Sequence, residues 1–232
     1  MKYPNFRYEK AVWHEGYSIV AGIDEVGRGA IAGPVVAGCV VFKKNFMPIK
    51  GRNIKMMPVI NDSKKLTPAR RVIADVWIKQ NALMWGIGKA EASEIDRLGI
   101  VKATNKAIRE AINNAIQRKN IRIQYLLIDA FYIPYIRGIR MPLKRYRKRK
   151  INENEISNSQ QKAIVKGDQK SFSIACASII AKVYRDRLMT LFAKKKKYQK
   201  YAWDKNKGYG TLHHRRMLKR YGRSLLHRKS FL

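Results

Sequence analysis

Acidic residues are scarce in this chain. Its 232 residues include only 16 Asp and Glu against 50 Lys and Arg, which leaves a formal net charge of +34. A surplus of that size excludes an electrically neutral surface and favours binding to phosphate backbones, with an affinity that falls as salt rises. Nucleic acid is therefore the first partner to consider, and an anionic membrane surface is the second.

Cysteine is nearly absent, and no uninterrupted apolar run reaches membrane-spanning length. Cys39 and Cys176 lie far apart, in apolar surroundings, with no CxxC or Cys/His spacing. This excludes a disulfide framework and a cysteine-based zinc site, and both thiols are expected to be small buried hydrophobes. No apolar signal segment follows Met1,. We therefore expect a cytoplasmic protein that does not enter a membrane.

The chain has enough apolar residues, 46%, to build a packed core,. Val/Ile-rich runs predict strands at 18–24, 35–42, 83–90 and 125–129, with a weaker strand at 163–165,. Helices are predicted at 69–79 after a Thr67-Pro68 cap, at 101–116, where Ile108, Ile112 and Ile116 form one buried face, and at 171–191,. This order predicts an α/β fold with a mixed sheet flanked by helices.

Four of the few acids fall where predicted strands end: Asp24, Glu25, Asp129 and Asp168. If the strands are parallel neighbours, their ends meet at one edge of the sheet. Oxygen ligands without His or Cys nearby suit two hard cations, Mg²⁺ or Mn²⁺, which together promote phosphodiester cleavage. Strand alternation sends Asp24 and Glu25 to opposite faces, so both can contribute only if the strand ends or distorts there.

Other acids and polar residues have simpler interpretations. Asp62 is expected to be a turn residue, and Asp186 to form an ion pair on a helix,. Spacing alone, however, does not decide between Asp168 and Asp186 as the fourth ligand. His14, His213, His214 and His227 are interpreted as surface or capping residues. The glycines at 27, 29 and 33 match neither GxGxxG nor a phosphate loop.

Two basic stretches stand apart from the predicted core. Residues 137–150 are densely basic and lack apolar periodicity, which predicts an exposed loop or insertion. The run Lys194 to Lys197 is followed by Tyr198, Tyr201 and Trp203. Aromatic residues between cations suit a nucleic-acid groove, although a solvated helix end explains the lysines equally well.

In combination, the motifs of this chain resemble those of type 2 ribonuclease H, specifically bacterial ribonuclease HII. The matching pieces are Gly22-Ile23-Asp24-Glu25-Val26-Gly27-Arg28-Gly29, Asp62-Ser63-Lys64-Lys65-Leu66, Leu127-Ile128-Asp129-Ala130, Lys166-Gly167-Asp168 with the following helix, Lys207-Gly208-Tyr209-Gly210-Thr211, and His227-Arg228-Lys229-Ser230-Phe231. They occur in the family's order. Each motif is weak alone, but their joint occurrence is specific.

The resemblance implies a ribonuclease H-like fold and a catalytic centre. The implied organisation is a core at 1–190, a basic helical C-terminal extension at 191–232 packed on it, and a basic insertion within 131–160, where Asp129 and Asp168 are 39 positions apart. Asp24, Glu25, Asp129 and Asp168 would bind two divalent ions, which favours Asp168 over Asp186 by analogy. Substrate contacts would come from Gly27, Arg28, Gly29 and Tyr209, with Lys64 and Lys166 as phosphate contacts.

The implied activity is endonucleolytic cleavage of RNA in RNA·DNA hybrids and on the 5′ side of single ribonucleotides in duplex DNA. The Gly27-Arg28-Gly29 turn would recognise the 2′-hydroxyl, and Tyr209 would pack on the next sugar. The resemblance also implies a monomer, with a sliding clamp as a possible partner. A basic nucleic-acid-binding protein without catalysis explains the charge equally well but not the four acids. A resolvase-like metal nuclease explains the acids but not the turn together with Tyr209.

Overall fold

The structure is a computed structural model that describes residues 3–46, 58–141 and 159–232. Its strands are β1 (Val20–Val26), β2 (Val35–Val41), β3 (Met84–Ala90), β4 (Tyr125–Asp129) and β5 (Gln161–Ile164). Its helices are α1 (Arg7–His14), α2 (Pro68–Asn81), α3 (Ala92–Leu98), α4 (Ile100–Lys119), α5 (Phe172–Lys194), α6 (Trp203–Asn206) and α7 (Leu212–Tyr221). Short 3₁₀ turns cover Gly167–Gln169, Lys196–Tyr201 and Lys229–Phe231. Every strand and helix predicted from the sequence is present within a few residues of its expected bounds.

The strands form one mixed sheet in the order β3-β2-β1-β4-β5. β2 runs antiparallel to both β1 and β3, whereas β1, β4 and β5 run parallel to one another. In this register Ile23 lies opposite Ile128, and Asp129 lies opposite Ile164. The carboxyl ends of three parallel strands therefore meet at one edge, as the sequence predicted.

Helices cover both faces of the sheet. One core joins α1, α2 and α5 to the face that carries Val40 and Leu127, and the other joins α4 to the face that carries Ile23 and Val35. The helices lie close because strand glycines leave room for them. A Cβ on Gly22 would come within 2.2 Å of the Ser173 carbonyl carbon on α5. The strand that carries Asp24 is thus in direct contact with α5.

Side-chain caps begin α2, for which the sequence predicted one, and α5. The Thr67 hydroxyl accepts a hydrogen bond from the Arg70 amide at 3.3 Å, and Pro68 occupies the first helical position of α2. Ser171 caps α5 through the Ile174 amide at 3.3 Å. These bonds satisfy amides that a helix leaves without intrahelical partners. α5 starts directly after the 3₁₀ turn that contains Asp168, so its cap fixes that turn as well.

The region after α5 differs from its sequence interpretation. Tyr198, Tyr201 and Trp203 are 7%, 1% and 0% exposed and pack with Met189 and Ala32. The prediction of aromatic residues in a nucleic-acid groove is therefore wrong, because the rings attach this segment to the core. The lysines from 194 to 197 are exposed, as a solvated helix end requires. The proposed 190/191 boundary falls inside α5, and the division into domains stays a prediction.

The predicted basic insertion is only partly visible. Residues 142–158 lie outside the described residues, so most of the 131–160 insertion and of the basic stretch cannot be compared with its prediction. The described beginning is not simply an exposed loop. Ile133 and Ile139 are 0% and 9% exposed and join the core under α4.

Among the described residues, none of the helices combines the length and apolarity needed to cross a bilayer.

Candidate active site

The four predicted acids lie around one edge of the sheet. Asp24 and Glu25 are near the end of β1, and Asp129 is the last residue of β4. Asp168 follows β5 in the 3₁₀ turn, after Lys166 in the left-handed conformation. The charge of Asp129 acts on each of the other three carboxylates. The parallel strands have therefore brought together acids that are distant in sequence.

Burial and the charges of neighbouring acids both disfavour the ionised forms of Asp24, Glu25 and Asp168. Burial is the main cause that raises the pKa of Asp24 well above its usual value, and the charges of Glu25 and Asp129 raise it further. Burial also raises the pKa of Glu25, against the opposing effect of Arg28. For Asp168, burial and then the charges of Asp62 and Asp129 raise the pKa. A cation at this centre would relieve both effects.

Hydrogen bonds fix the orientation of part of the acid cluster. The Gly167 amide donates to Asp129 Oδ1 at 2.7 Å, which ties the end of β4 to the turn that carries Asp168. The Glu25 amide donates to Asp24 Oδ1 at 2.7 Å. Arg28 Nη1 lies 3.3 Å from Glu25 Oε1. Glu25 Oε2 is buried and has no hydrogen-bond partner in the described part of the chain, so this oxygen is free for a further ligand.

The pairing of β1 changes at Asp24 and Glu25, where both acids can contribute only if the strand ends or distorts. β1 remains paired with β2 through Glu25 and Val26, although its pairing with β4 ends at Ile23. The chain turns only afterwards, at Gly27, whose φ is +88°. One of the two ladders of β1 therefore ends before the acids and the other continues past them, and a contribution of both Asp24 and Glu25 to one site stays a prediction.

The chemistry of the acid cluster fits hard divalent ions, but the ligands are not preassembled. All four predicted groups are oxygen donors, which Mg²⁺ and Mn²⁺ prefer. The burial of Asp24 and Asp168 and the unpartnered Glu25 oxygen favour a bound cation. Within the described residues, however, no three His, Cys, Asp or Glu side chains are arranged to hold a metal. The side chains would have to close on an ion as it binds.

The Gly27-Arg28-Gly29 turn follows these acids directly. Arg28 and Gly29 are exposed, whereas Gly27 and Ala30 are buried. The segment behind the turn is tied to distant parts of the chain, since the amides of Ile31 and Ala32 both donate to the Gly208 carbonyl. The turn is therefore a surface feature with a fixed base, next to the carboxylates.

Tyr209 lies beside the same turn. It follows Gly208, and its half-exposed ring lies 5.4 Å from the guanidinium carbon of Arg185 and 6.0 Å from Lys182 Nζ. Gly27 and Tyr209 share Arg185 as a neighbour, because a Cβ on Gly27 would lie 2.2 Å from Arg185 Nε. Two motifs that are far apart in sequence thus lie on the same buried side chain.

Of the two predicted phosphate lysines, Lys64 has the clearer link to the acids. The charge of Lys64 lowers the pKa of Asp168, although the net shift is upward. Lys64 is held by its amide, which donates to Asp62 Oδ1 at 2.9 Å. Lys166 is exposed directly before the Gly167–Gln169 turn. Both cations lie next to the acid cluster in the chain or in space.

Asp62 has more than the role inferred for it from the sequence. Asp62 does form a turn, but it is also 5% exposed, and its charge raises the pKa of Asp168. Its position in Asp62-Ser63-Lys64 was the only sequence signal. Asp186 pairs with Lys182 at 2.7 Å, as expected of a helix ion pair. Cys39 and Cys176 are free and buried, also as expected.

The interpretation of His214 and His227 as surface or capping residues is wrong. They are 0% and 2% exposed, and their Nε2 atoms are 3.1 Å apart. His214 Nδ1 is 2.9 Å from the Tyr209 carbonyl oxygen, and the Ser224 amide donates to His227 Nδ1 at 2.9 Å. The pair therefore links the segment after α7 to the Tyr209 loop. Only the tertiary fold brings these rings together, since 13 positions separate them.

Comparison with known sequences gives a consistent family. The family model described as Ribonuclease HII matches residues 21–232. The ribonuclease HII of Caldanaerobacter subterraneus subsp. tengcongensis is 42% identical over 97% of this chain and 78% of its own length. That of Chlamydia abortus is 40% identical over 97% of this chain and 89% of its own length.

Solved structures show the same fold at lower identity. Ribonuclease H2 from Pyrococcus horikoshii OT3 aligns with a TM-score of 0.63 and 23% identity, over 91% of this chain and 93% of that one. RNase HII in the PCNA:RNase HII complex from Archaeoglobus fulgidus gives 0.61 and 23%, over 92% and 95%. Bst-RNase HIII in complex with Mn²⁺ gives 0.56 and 17%, over 89% and 63%. The ribonuclease H-like fold predicted from the sequence is confirmed.

Proposed function

The chain belongs to the ribonuclease HII family and is a ribonuclease H, and from that premise we propose how it acts. It hydrolyses the RNA strand of RNA·DNA hybrids and cuts duplex DNA on the 5′ side of a single embedded ribonucleotide. The products carry a 3′-hydroxyl and a 5′-phosphate. Its cellular roles would be ribonucleotide excision repair and removal of RNA primers.

One observation carries this proposal: four carboxylates, of which those of Asp24 and Asp168 are buried, lie together beside the Gly27-Arg28-Gly29 turn. Asp129 interacts electrostatically with Asp24, Glu25 and Asp168 in a chain whose formal charge is +34. Such a concentration of negative charge opposes the approach of a phosphate unless cations lie between them. Its location next to the turn supports a centre that cleaves the backbone where the sugar is recognised.

Asp24, Glu25, Asp129 and Asp168 would hold two divalent ions, Mg²⁺ or Mn²⁺. When bound, such ions supply an activated water and stabilise the departing oxygen. The chain's own groups prepare this position. The Gly167 amide orients Asp129, and Arg28 holds one oxygen of Glu25 while the other is unpartnered among the described residues. Burial of Asp24 keeps bulk water from one side of the centre.

The proposed substrate contacts have separate tasks. The exposed backbone of Arg28 and Gly29 would approach the ribose, because a turn without bulky side chains lets a sugar come close,. The Tyr209 ring would pack on the sugar of the next deoxynucleotide. Lys64 and Lys166 would contact phosphates beside the carboxylates, which lowers the cost of bringing a polyanion to an acidic centre.

Partners and location follow from the same premise. The Archaeoglobus fulgidus structure is a complex of PCNA and RNase HII, and we propose a sliding clamp as a possible partner of this chain too. A cytoplasmic monomer that acts on nucleic acid remains our expectation.

The main alternative is a basic binding protein without catalysis, for which the four acids would serve no purpose.

The experiment that tests the proposal is cleavage of labelled duplex DNA with one ribonucleotide. The wild-type chain should cut on the 5′ side of that ribonucleotide with Mg²⁺ or Mn²⁺ and should not cut with EDTA. Asp129→Asn should lose at least about 100-fold in rate, because the group that couples all the carboxylates loses its charge. Asp204→Asn is the matched control, since it removes an exposed acid of the region after α5.

Each outcome has a distinct meaning. Metal-dependent scission that survives in Asp204→Asn and is lost in Asp129→Asn supports the proposal. Scission that persists at the wild-type rate in Asp129→Asn contradicts the assignment of the carboxylates. Tight binding without scission under either metal favours the binding-protein alternative.

A further inference from the structure

Arg228 is a buried cation that binds the back of the Gly27-Arg28-Gly29 turn. The residue is 0% exposed. Its Nε donates to the Gly33 carbonyl at 2.9 Å, its Nη1 to Arg28 at 2.8 Å and its Nη2 to Gly27 at 2.7 Å. No ion pair of Arg228 with an acid is found in the described part of the chain. All three guanidinium nitrogens are therefore committed to carbonyls of one loop.

Burial of the Arg228 guanidinium costs free energy, so this position requires the hydrogen bonds that the loop carbonyls provide. Burial and the nearby charge of Arg185 lower the pKa of Arg228 to about 9. A buried charge is tolerated only where hydrogen bonds replace its water. Arg185 has a parallel role, because it donates to the carbonyls of Pro34, Ala32 and Lys207. The two arginines bind carbonyls of the 27–34 loop from inside the protein. They leave the solvent-facing side of the loop at Arg28 and Gly29 uncovered.

Peptide planarity converts the inward carbonyls into outward amides. The C=O of one residue and the N–H of the next point in opposite directions across a planar trans peptide. When Arg228 holds the carbonyls of Gly27 and Arg28, the amides of Arg28 and Gly29 must point away from it. Neither amide has a hydrogen-bond partner among the described residues. Both residues are exposed, so the amides face solvent or substrate.

We infer that Arg228 is a positioning residue for ribose recognition: its grip on two carbonyls aims the amides of Arg28 and Gly29 at the 2′-hydroxyl of the substrate. The inference rests on the proposed function, since it assigns that turn to the ribose. The guanidinium also polarises the two peptide groups and so strengthens their amides as donors. The segment after α7 would thus set the preference for ribonucleotides without touching them.

The test is a binding comparison that does not depend on cleavage. In an Asp129→Asn background, the Kd is measured for two duplexes that differ only in one ribonucleotide or deoxyribonucleotide. Arg228→Lys keeps the positive charge but cannot bridge the carbonyls of Gly27 and Arg28. Arg228→Gln removes both the charge and the bridge. Each should reduce the ribonucleotide preference by about tenfold, the equivalent of one hydrogen bond. The control Arg216→Gln removes an exposed arginine of α7 and should weaken the binding of both duplexes equally,.

A second measurement needs no substitution at Arg228. Amide exchange of Arg28 and Gly29 is followed by NMR in the Asp129→Asn chain with each duplex. Protection by the ribonucleotide duplex alone is expected. An unchanged preference in both Arg228 variants, or amides that neither duplex protects, would overturn the inference alone. Equal affinity of the Asp129→Asn parent for both duplexes would overturn the proposed ribonucleotide recognition and this inference with it.

Discussion

Gly27 and Gly29 are two residues apart, yet their surroundings differ completely. Gly27 has a φ of +88°, and an added Cβ would lie 2.2 Å from the buried Arg185 side chain. Gly29 has no atom within 4 Å of such a Cβ. Gly27 is therefore required by the chain itself. The open space above Gly29 is available to a ligand.

This contrast predicts opposite behaviour of two alanine variants. Gly27→Ala should lower the free energy of unfolding by about 2 kcal/mol or more, because it combines left-handed strain with a steric clash. Gly29→Ala should change that free energy by less than about 0.5 kcal/mol but reduce ribonucleotide cleavage by about tenfold or more, since its methyl group would hold the sugar away. Thermal unfolding and cleavage rates check both. A Gly29→Ala chain as active as wild type would argue against ribose contact at this turn.

Local sequence singled out three of the candidate acids but not every charge that surrounds them. Asp24, Glu25 and Asp129 stand out because each ends an apolar run in a chain with only 16 acids. Asp62 did not stand out, since a turn explains it equally well, and only the fold brings its charge near Asp168. Arg228 stood out only as part of the His227-Arg228-Lys229-Ser230-Phe231 motif, and no local pattern indicated that it contacts the Gly27-Arg28-Gly29 turn. The roles of Asp62 and Arg228 depend on contacts between residues that are distant in sequence, and no local pattern encodes such contacts.

At the scale of elements, hydrophobic periodicity and capping predicted the sheet and the main helices. Ile108 and Ile112 on α4 are buried as their spacing requires. α1 was not predicted, because its stability depends on a distant contact. The Glu9 carboxylate, 1% exposed, accepts hydrogen bonds from the Ser171 hydroxyl and the Ser173 amide at the start of α5. The aromatic residues after α5 misled for the same reason, because their burial depends on Ala32 and Met189.

The buried histidine pair makes the region after α5 sensitive to acid. The Ser224 amide donates to His227 Nδ1, so the neutral ring carries its proton on Nε2 and donates it to His214. Burial and the neighbouring His214 lower the pKa of His227 to about 4, and burial lowers that of His214. In the unfolded chain a histidine titrates near pH 6.5. The folded state thus binds fewer protons than the unfolded state between these values.

The sign of this linkage gives a prediction. The stabilisation is complete above about pH 6.5 and is lost as the pH falls towards 4, with about 1–2 kcal/mol lost at pH 5. Replacement of His227 by Gln should flatten the dependence of the unfolding free energy on pH over that range. His14→Gln, at an exposed position at the end of α1, should leave the profile unchanged. Denaturant titrations at several pH values provide the measurement, and equal slopes for wild type and His227→Gln would refute the assignment.

At the scale of the whole molecule, the net charge of +34 has two possible effects on nucleic-acid binding. A diffuse field would attract any duplex, and its strength would depend on the number of charges rather than on their location. Local contacts would release counterions only where cations touch phosphates. We expect the basic stretch at 137–150 to contact nucleic acid outside the catalytic centre, so its cations can distinguish local contacts from a diffuse field.

Two variants with the same loss of charge separate these effects. One replaces Arg147, Lys148, Arg149 and Lys150 by Gln, and the other replaces the exposed Lys194, Lys195, Lys196 and Lys197 by Gln. If the 147–150 cations contact phosphates, the slope of log K against log salt should become shallower by about 3–4 for the first variant. The second should change it by less than about 1 on the same scale. Equal changes would mean that the field of the whole chain, rather than a contact by the basic stretch, attracts the duplex.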